Sequence, residues 1–584
     1  MNAAGRVREM ALRSLAAAAL VLAGFAAVDG LDAVRVTAFQ IARNDTPRPL
    51  ENALIYAATY LTGTLAIAAL LCHRPVVRRV AAALVIALAC VQVGFAAVNG
   101  TGYSHHEAAL LFTETAFVPD ALRFFADRFA VPVLGLIAAG LGWAWLVRRV
   151  GPRLRSWAWL ALPIAALATS QSVVDRTYGK VYQFPAPIRV ALLTAWAHAH
   201  RLPHYAEREA PYFAASQPPL ADHIVLVVDE SVNGHSLAIN GAPVDTTPWL
   251  SSRPEGVFNY GIASAISNLS SSSNLLLQAG LPLSAFPDRD LRALRVPNVF
   301  DYLDAAGFHT VFIDSQTYSD QPPNLMTGFD LARIGTHVRL REKLRGVPEH
   351  ELDFRALPDV RAAIEQNAHS FIYLLKTGAH LPYADKSPVD RQPFQPTLDS
   401  WAFSGDPTRT RNSYWNALRW TVDEFLRELS LELAGTGREV LVIYTSDHGQ
   451  WLPGDPDGGR KLTPHATAID PPPQQGSVPL ILLAVGPRTR AAIAQRFDAS
   501  RFDRASDFEL FATVLQAAGY AASDTQRHYA PSLFERDVAN APIAFLSGNV
   551  FARDGAFYVL NPGLGSDCFT NPFSAADVRA SPAP

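Results

Sequence analysis

Long apolar runs fill the first 175 or so residues, and short ones alternating with helical periodicity fill the remainder. Four early segments, 52–72, 80–98, 130–147 and 157–174, approach or exceed the ~20 mainly apolar residues that cross a bilayer as a helix. A shorter fifth, 14–28, follows Arg6, Arg8 and Arg13 and has the form of a secretory leader. Because four further spans come after it, an uncleaved first span is the expectation. From about 220 onward, strand-length runs at 223–228, 309–313, 370–375, 439–445 and 478–484 alternate with helix-like stretches such as 299–306 and 412–434. That alternation predicts a mostly parallel sheet covered by helices on both faces.

Charge orients the apolar part. Arg6, Arg8, Arg13, Arg74, Arg78, Arg79, Arg148, Arg149, Arg153 and Arg155 fall on one set of linkers, whereas Arg35, Arg43, Arg48, Arg123 and Arg128 fall on the other. Basic residues collect on the cytoplasmic side, so the N-terminus is expected inside and everything after the fifth span outside. Segments 99–129 and 183–200 read as amphipathic helices lying at the membrane surface. The expected organisation is a five-helix transmembrane domain over 1–175, a linker with an interfacial helix over 176–220, and an α/β domain over 221–584 on the outer side of the membrane.

Composition adds exclusions. With a net charge of −3 and 18% charged residues, no basic surplus points to nucleic acid. Cys72, Cys90 and Cys568 are too few and too scattered for a disulfide framework or a thiolate metal site, so any metal has oxygen and histidine ligands.

The chemistry sits after the strands. The first strand ends in Asp229 and Glu230, the third in the run from Lys376 to His380 (KTGAH), and the fourth in Ser446, Asp447, His448 and Gly449. Sites in open α/β sheets form beyond the carboxyl ends of strands, so three strands deliver carboxylate and imidazole groups to one edge. A serine run, 270–273, opens the apolar helical stretch after it. It reads either as a helix cap with spare hydroxyls or as a nucleophile where backbone N–H groups and the helix dipole favour an anion.

Taken in order, these blocks resemble the phosphoethanolamine transferases of bacterial envelopes, members of the alkaline phosphatase and sulfatase superfamily. The resemblance rests on Glu230 with Gly234 to Gly241 (GHSLAING) and Asp245 to Leu250 (DTTPWL), on Tyr444 to Gly449 (YTSDHG), and on Gly378 to Tyr383 (GAHLPY). The helix bearing Asn412, Tyr414, Asn416 and Asp423 and the five preceding spans are similar too. It implies a metal site of Glu230, Ser270, Asp447 and His448, with Ser270 as nucleophile. His380 and His465 would bind the substrate phosphate. Counting back ten residues from Gly280, as in the sulfatase pattern, also selects Ser270, and a slip of register would bring in Ser271 or Ser272. Zinc suits these ligands, and manganese and magnesium are compatible with them.

The resemblance implies transfer of phosphoethanolamine from phosphatidylethanolamine to an envelope glycan or lipopolysaccharide acceptor through a covalent phospho-serine. Serine stands where most members have threonine, bracing cysteines are missing, 453–460 is an insertion before His465, and 314–328 lacks a cysteine-rich acidic loop. Alternatives are a glycerol-phosphate transferase using phosphatidylglycerol, a sulfatase or phosphodiesterase, and a non-catalytic membrane scaffold. A sulfatase is disfavoured because Ser272 and Asn274 replace the Pro and Arg that follow its modified residue.

Overall fold

The computed structural model describes residues 3–30, 49–99, 125–154, 184–199, 208–399 and 406–560, with short breaks at 287, 289, 318–321, 345, 456–462, 468–469, 536–542, 549 and 552–555, and a few isolated residues between 102 and 181. The molecule divides into two compact units, a helical one drawn from residues up to 201 and an α/β one that takes nearly all of the chain from 202 onward.

The helical unit contains α1 (Ala3–Asp29), α2 (Pro49–Leu71), α3 (Pro75–Asn99), α4 (Ala126–Val150) and α5 (Ala186–Ala199). Among the described residues, α1, α3 and α4 are long and apolar enough to cross a membrane, and α2 carries a shorter apolar stretch, Ala57–Leu71. The span expected at 157–174, most of the surface helix expected at 99–129, and His105 and His106 lie outside the described residues. Segment 183–200 supplies α5. A buried polar cluster ties α5 to its neighbours: Arg189 pairs with Asp29 at 3.1 Å, and Tyr60 donates to the same carboxylate at 2.6 Å. Asp29 also accepts the Ala186 amide, 3.3 Å away at the start of α5, where an acid complements the helix dipole.

In the α/β unit, β1 (His223–Asp229), β2 (Val257–Ser264), β3 (His309–Asp314), β4 (Thr336–Arg339), β5 (Ser370–Leu375), β6 (Val440–Ser446) and β7 (Ser477–Val485) form one sheet in the order β2-β7-β6-β1-β5-β3-β4. Only β7 runs against the rest. The five strands read from the sequence are all present; β2, β4 and a separate hairpin of β8 (Ala544–Ser547) and β9 (Ala556–Val559) are additional. The pattern passes over β2 because Asn259 and Gly261 interrupt it at a bulge, and over β4 because it is a four-residue edge strand.

Both faces of the sheet are covered. Ile224, Leu226 and Val228 of β1 pack into one core with α6 (Ser270–Ala279), α7 (Val299–Ala305) and α8 (Leu510–Ala517). Val225 and Val227 pack into the other, against a long helix over 407–435. Strand residues alternate faces, so each is apolar wherever helices cover it. The acidic and imidazole residues of the candidate site begin where β1 and β6 run out at their carboxyl ends.

Gly280 closes α6 in the left-handed conformation (φ +67°), its amide bonding to the Leu276 carbonyl at 2.8 Å. A Cβ there would lie 2.3 Å from the Phe511 ring. Gly280→Ala therefore combines ~1–2 kcal/mol of backbone strain with ~1–3 kcal/mol of overpacking, and thermal unfolding followed by circular dichroism is expected to show a Tm several degrees lower. An unchanged Tm refutes this account of how the serine helix ends.

Candidate metal centre

β1 and β6 are parallel neighbours with Asp229 opposite Ser446. The residues just beyond, Glu230 on one strand and Asp447 and His448 on the other, therefore emerge side by side. Their ligand atoms all lie within 4.8 Å of one another, and all three residues are buried. His448 Nε2 is 3.1 Å from Glu230 Oε1 and 3.8 Å from Asp447 Oδ2. His448 Nδ1 sits 2.8 Å from the Gly449 carbonyl. A proton on Nδ1 donated there leaves Nε2 turned into the cluster as a ligand.

The carboxylates are held by the main chain. Asp447 Oδ1 accepts the amides of His448 (2.7 Å) and Ser231 (3.2 Å). Ser231, at φ +62°, also donates its hydroxyl to Glu230 Oε1 at 2.8 Å, a strained residue of the kind that gathers at functional sites. Asp447 Oδ2 is buried with no hydrogen-bond partner. Burial and the Glu230 charge push the Asp447 carboxyl well up. Burial also opposes ionisation of Glu230, but the hydrogen bond and charge of His448 overcome it and hold Glu230 well below the ordinary range. For His448 burial favours the neutral ring, yet Asp447 and Glu230 raise it to about 9. Two buried acids, a carboxylate oxygen with no hydrogen-bond partner and an imidazole nitrogen converge on one place. A divalent cation with oxygen and nitrogen ligands fits the site, and zinc, manganese and magnesium all meet the donor set.

Ser270 is the first residue of α6, with its Oγ 3.1 Å from His448 Nε2 and 3.5 Å from Glu230 Oε1. The helix-cap reading of the serine run has no support, because the N-cap is Leu269 and no side chain caps the helix. The other serines separate by role. Ser272 accepts the Val550 amide, and Ser273 exchanges hydrogen bonds with the Ser267 main chain. Ser271 is buried with its hydroxyl unpartnered. Of the four, Ser270 is the one whose hydroxyl reaches the cluster.

His380 and His465 come to the same place. The His465 ring stacks on His448 with centroids 4.4 Å apart, and lies 5.7 Å from His380. Burial lowers the pKa of His380, which favours its neutral ring. The His465 loop is held by Asn268, whose carbonyl accepts the Ala466 amide at 3.0 Å and whose side chain donates to the Thr467 carbonyl at 2.9 Å. That tie lies two residues before Ser270, so the insertion preceding His465 does not carry it away from the cluster.

Sequence reasoning missed Gln316. It follows β3 and donates to Glu230 Oε2 at 3.0 Å and to the Lys376 carbonyl at 2.8 Å. Its place just past a strand end was the available signal. Asp229 is turned away from the cluster and engaged on both oxygens, by Glu230 N on one and by Lys376 and Tyr444 on the other. His235 packs within the turn at 234–236.

The integral membrane protein lipooligosaccharide phosphoethanolamine transferase A from Neisseria meningitidis is 16% identical with a TM-score of 0.58, covering 86% of this chain and 97% of that one. The C-terminal periplasmic domain of EptC from Escherichia coli, solved in complex with Zn, is 18% identical with a TM-score of 0.48, covering 60% and 95%. The periplasmic domain of phosphoethanolamine transferase EptC from Campylobacter jejuni is 20% identical with a TM-score of 0.41, covering 56% and 95%. No curated protein sequence matches significantly. The first of these structures shares the fold along most of this chain, in line with the resemblance read from the sequence motifs. The sulfatase family profile matches residues 222–520, half of the chain, from the first strand of the large sheet past its last, and the chain belongs to the sulfatase family.

Proposed function

We propose that this protein transfers phosphoethanolamine from phosphatidylethanolamine to an envelope glycan or lipopolysaccharide acceptor, with Ser270 as nucleophile and Glu230, Asp447, His448 and Ser270 as the metal ligands. In this reading residues 1–175 are a five-helix inner-membrane domain with its N-terminus in the cytoplasm. Residues 176–220 link it to a periplasmic catalytic domain over 221–584. The observation that carries the reading is the position of the Ser270 hydroxyl, 3.1 Å from His448 Nε2 at the N-terminus of α6 and beside two buried acids.

A serine hydroxyl is a weak nucleophile at neutral pH and needs activation. A bound zinc, or manganese or magnesium in its place, supplies it by favouring the deprotonated oxygen and by offsetting charge at phosphorus. Ser270 Oγ attacks the phosphorus of phosphatidylethanolamine, and the bond from phosphorus to the glyceryl oxygen breaks. Diacylglycerol leaves with a proton. An acceptor hydroxyl or phosphate then attacks the phosphoethanolamine on Ser270 and releases the serine. His380 and His465 hold phosphoryl oxygens in both steps, and the neutral ring favoured at His380 suits it to accept and return a proton.

Full-length protein in detergent with a fluorescent phosphatidylethanolamine is expected to release labelled diacylglycerol and to gain the mass of one phosphoethanolamine group. Ser270→Ala is expected to lose the covalent mass and about a thousandfold or more of the release. Unchanged release in that variant refutes the covalent route. Reaction with a phosphatidylglycerol analogue alone reassigns the donor.

Metal uptake carries its own pH signature. With His448 raised to about 9, the metal-free site holds a proton at neutral pH that a cation must displace. Raising the pH from 7 toward 9 removes this competition, so apparent zinc affinity should climb by up to about tenfold per pH unit and then level off. Calorimetry in buffers of different ionisation enthalpy counts the protons. None released at pH 7 contradicts the electrostatics described for the cluster.

A further inference from the structure

Lys376, immediately after β5, is fully buried at the back of the cluster, a costly place for an ammonium group. Its Nζ lies 2.6 Å from Asp229 Oδ2, donates to the Thr421 carbonyl, and stands 4.1 Å from the centroid of the Phe425 ring. Thr421 belongs to a π-helical turn, Arg419–Glu424, set between Pro407–Leu418 and Phe425–Gly435 in the long helix of the second core. Such wide turns interrupt the α-helical ladder and often mark functional positions. Here the turn brings a main-chain carbonyl within reach of the ammonium. It also aims Asp423 at the Trp249 and Leu250 amides, each at 2.9 Å.

Asp229 passes this anchorage forward. Its Oδ1 accepts the Glu230 amide at 2.9 Å, and its own carbonyl accepts the Asp447 amide at 2.9 Å. One residue thus touches the main chain of both acidic members of the cluster. The Glu230 carbonyl in turn accepts Ala379 N at 3.0 Å. Gly378 makes that approach possible: at φ +50°, a Cβ would fall 2.0 Å from Asp229 Oδ1 and 2.7 Å from the Glu230 main chain.

We infer that Lys376 is a positioning residue of the metal centre. By fixing Asp229 against the π-turn, it sets the main chain from which Glu230 and Asp447 reach the cation. The inference rests on the metal-centre reading above and names a residue that touches neither substrate nor cation. A salt bridge serving stability alone has its effect through neutralisation, so removing both charges together separates the two roles.

The experiment measures zinc dissociation constants by chelator competition, alongside thermal unfolding of the metal-free form, for the full-length protein in detergent. The variants are Lys376→Met, Asp229→Asn with Lys376→Met, and Glu230→Ala. Lys376→Met alone leaves a buried carboxylate unpaired and is expected to unfold at lower temperature. The double variant is expected to regain the metal-free Tm to within a few degrees while binding zinc 10- to 100-fold more weakly, the usual cost of losing a group that orients a ligand. A double variant with wild-type zinc affinity overturns the inference. So does one whose stability and affinity fall together, which marks the pair as a fold element only. Glu230→Ala is the separate control: zinc binding that survives it refutes the metal centre itself, whereas its loss with an unaffected double variant refutes only the role of Lys376.

Discussion

Three acidic side chains, Asp229, Glu230 and Asp447, are buried together at the carboxyl ends of two adjacent parallel strands, and the large unit is built around the need to balance them. A buried carboxylate without a counter-charge is costly enough to be protonated or moved. Lys376 answers Asp229 from behind. In front, among the described residues, Glu230 and Asp447 share the proton of His448, and one oxygen of Asp447 has no hydrogen-bond partner. The incomplete balance is what the proposed cation would complete. Its position follows from the sheet, because strands covered on both faces by apolar cores can display acids only where they end.

Much of this was legible in the sequence because it depends on short-range pattern. Continuous apolar runs of strand length marked β1, β3, β5, β6 and β7, and the groups at three of their ends were visible as the next residues along the chain. Strands that pair without a clean pattern were not visible: β4 has four residues on an edge, and β2 is broken by a bulge. Gln316 stood in the open, just past a strand end, but an amide carries no charge signature. The Asn412, Tyr414, Asn416 and Asp423 pattern was readable as a helix while its purpose was not. Tyr414 bonds to the Asn233 amide and the Ser231 carbonyl, and Asp423 to two amides beyond Thr247, contacts made 173 to 183 residues apart.

The helical unit shows the same limit in another solvent. Hydropathy located its long helices well, since an apolar helix needs nothing but length to be recognised. What hydropathy does not encode is the Asp29, Tyr60 and Arg189 cluster, joining three helices through a carboxylate that hydropathy scores only as an interruption. Polar groups within such bundles are costly unless paired, and Asp29 accepts from both Tyr60 and Arg189.

The two faces of the large sheet carry different parts of the site. On one face, α6 presents the Ser270 hydroxyl, and Asn268 ties the turn before it to the loop bearing His465, so the hydroxyl and that imidazole share one anchorage. On the other, the helix over 407–435 reaches the acidic side chains of the cluster through Lys376 and the main chain around Ser231. Phosphoryl transfer needs the attacking oxygen in line with the leaving oxygen, and errors of an ångström cost orders of magnitude in rate. In the proposed mechanism, a hydroxyl set from one core and acids set from the other meet to that tolerance only if the sheet between them is rigid. Two packed cores and a continuous register of parallel strands make it so, and the serine run is consistent with this demand: Ser272 and Ser273 spend their hydroxyls holding the turn still, leaving Ser270 to face the cluster.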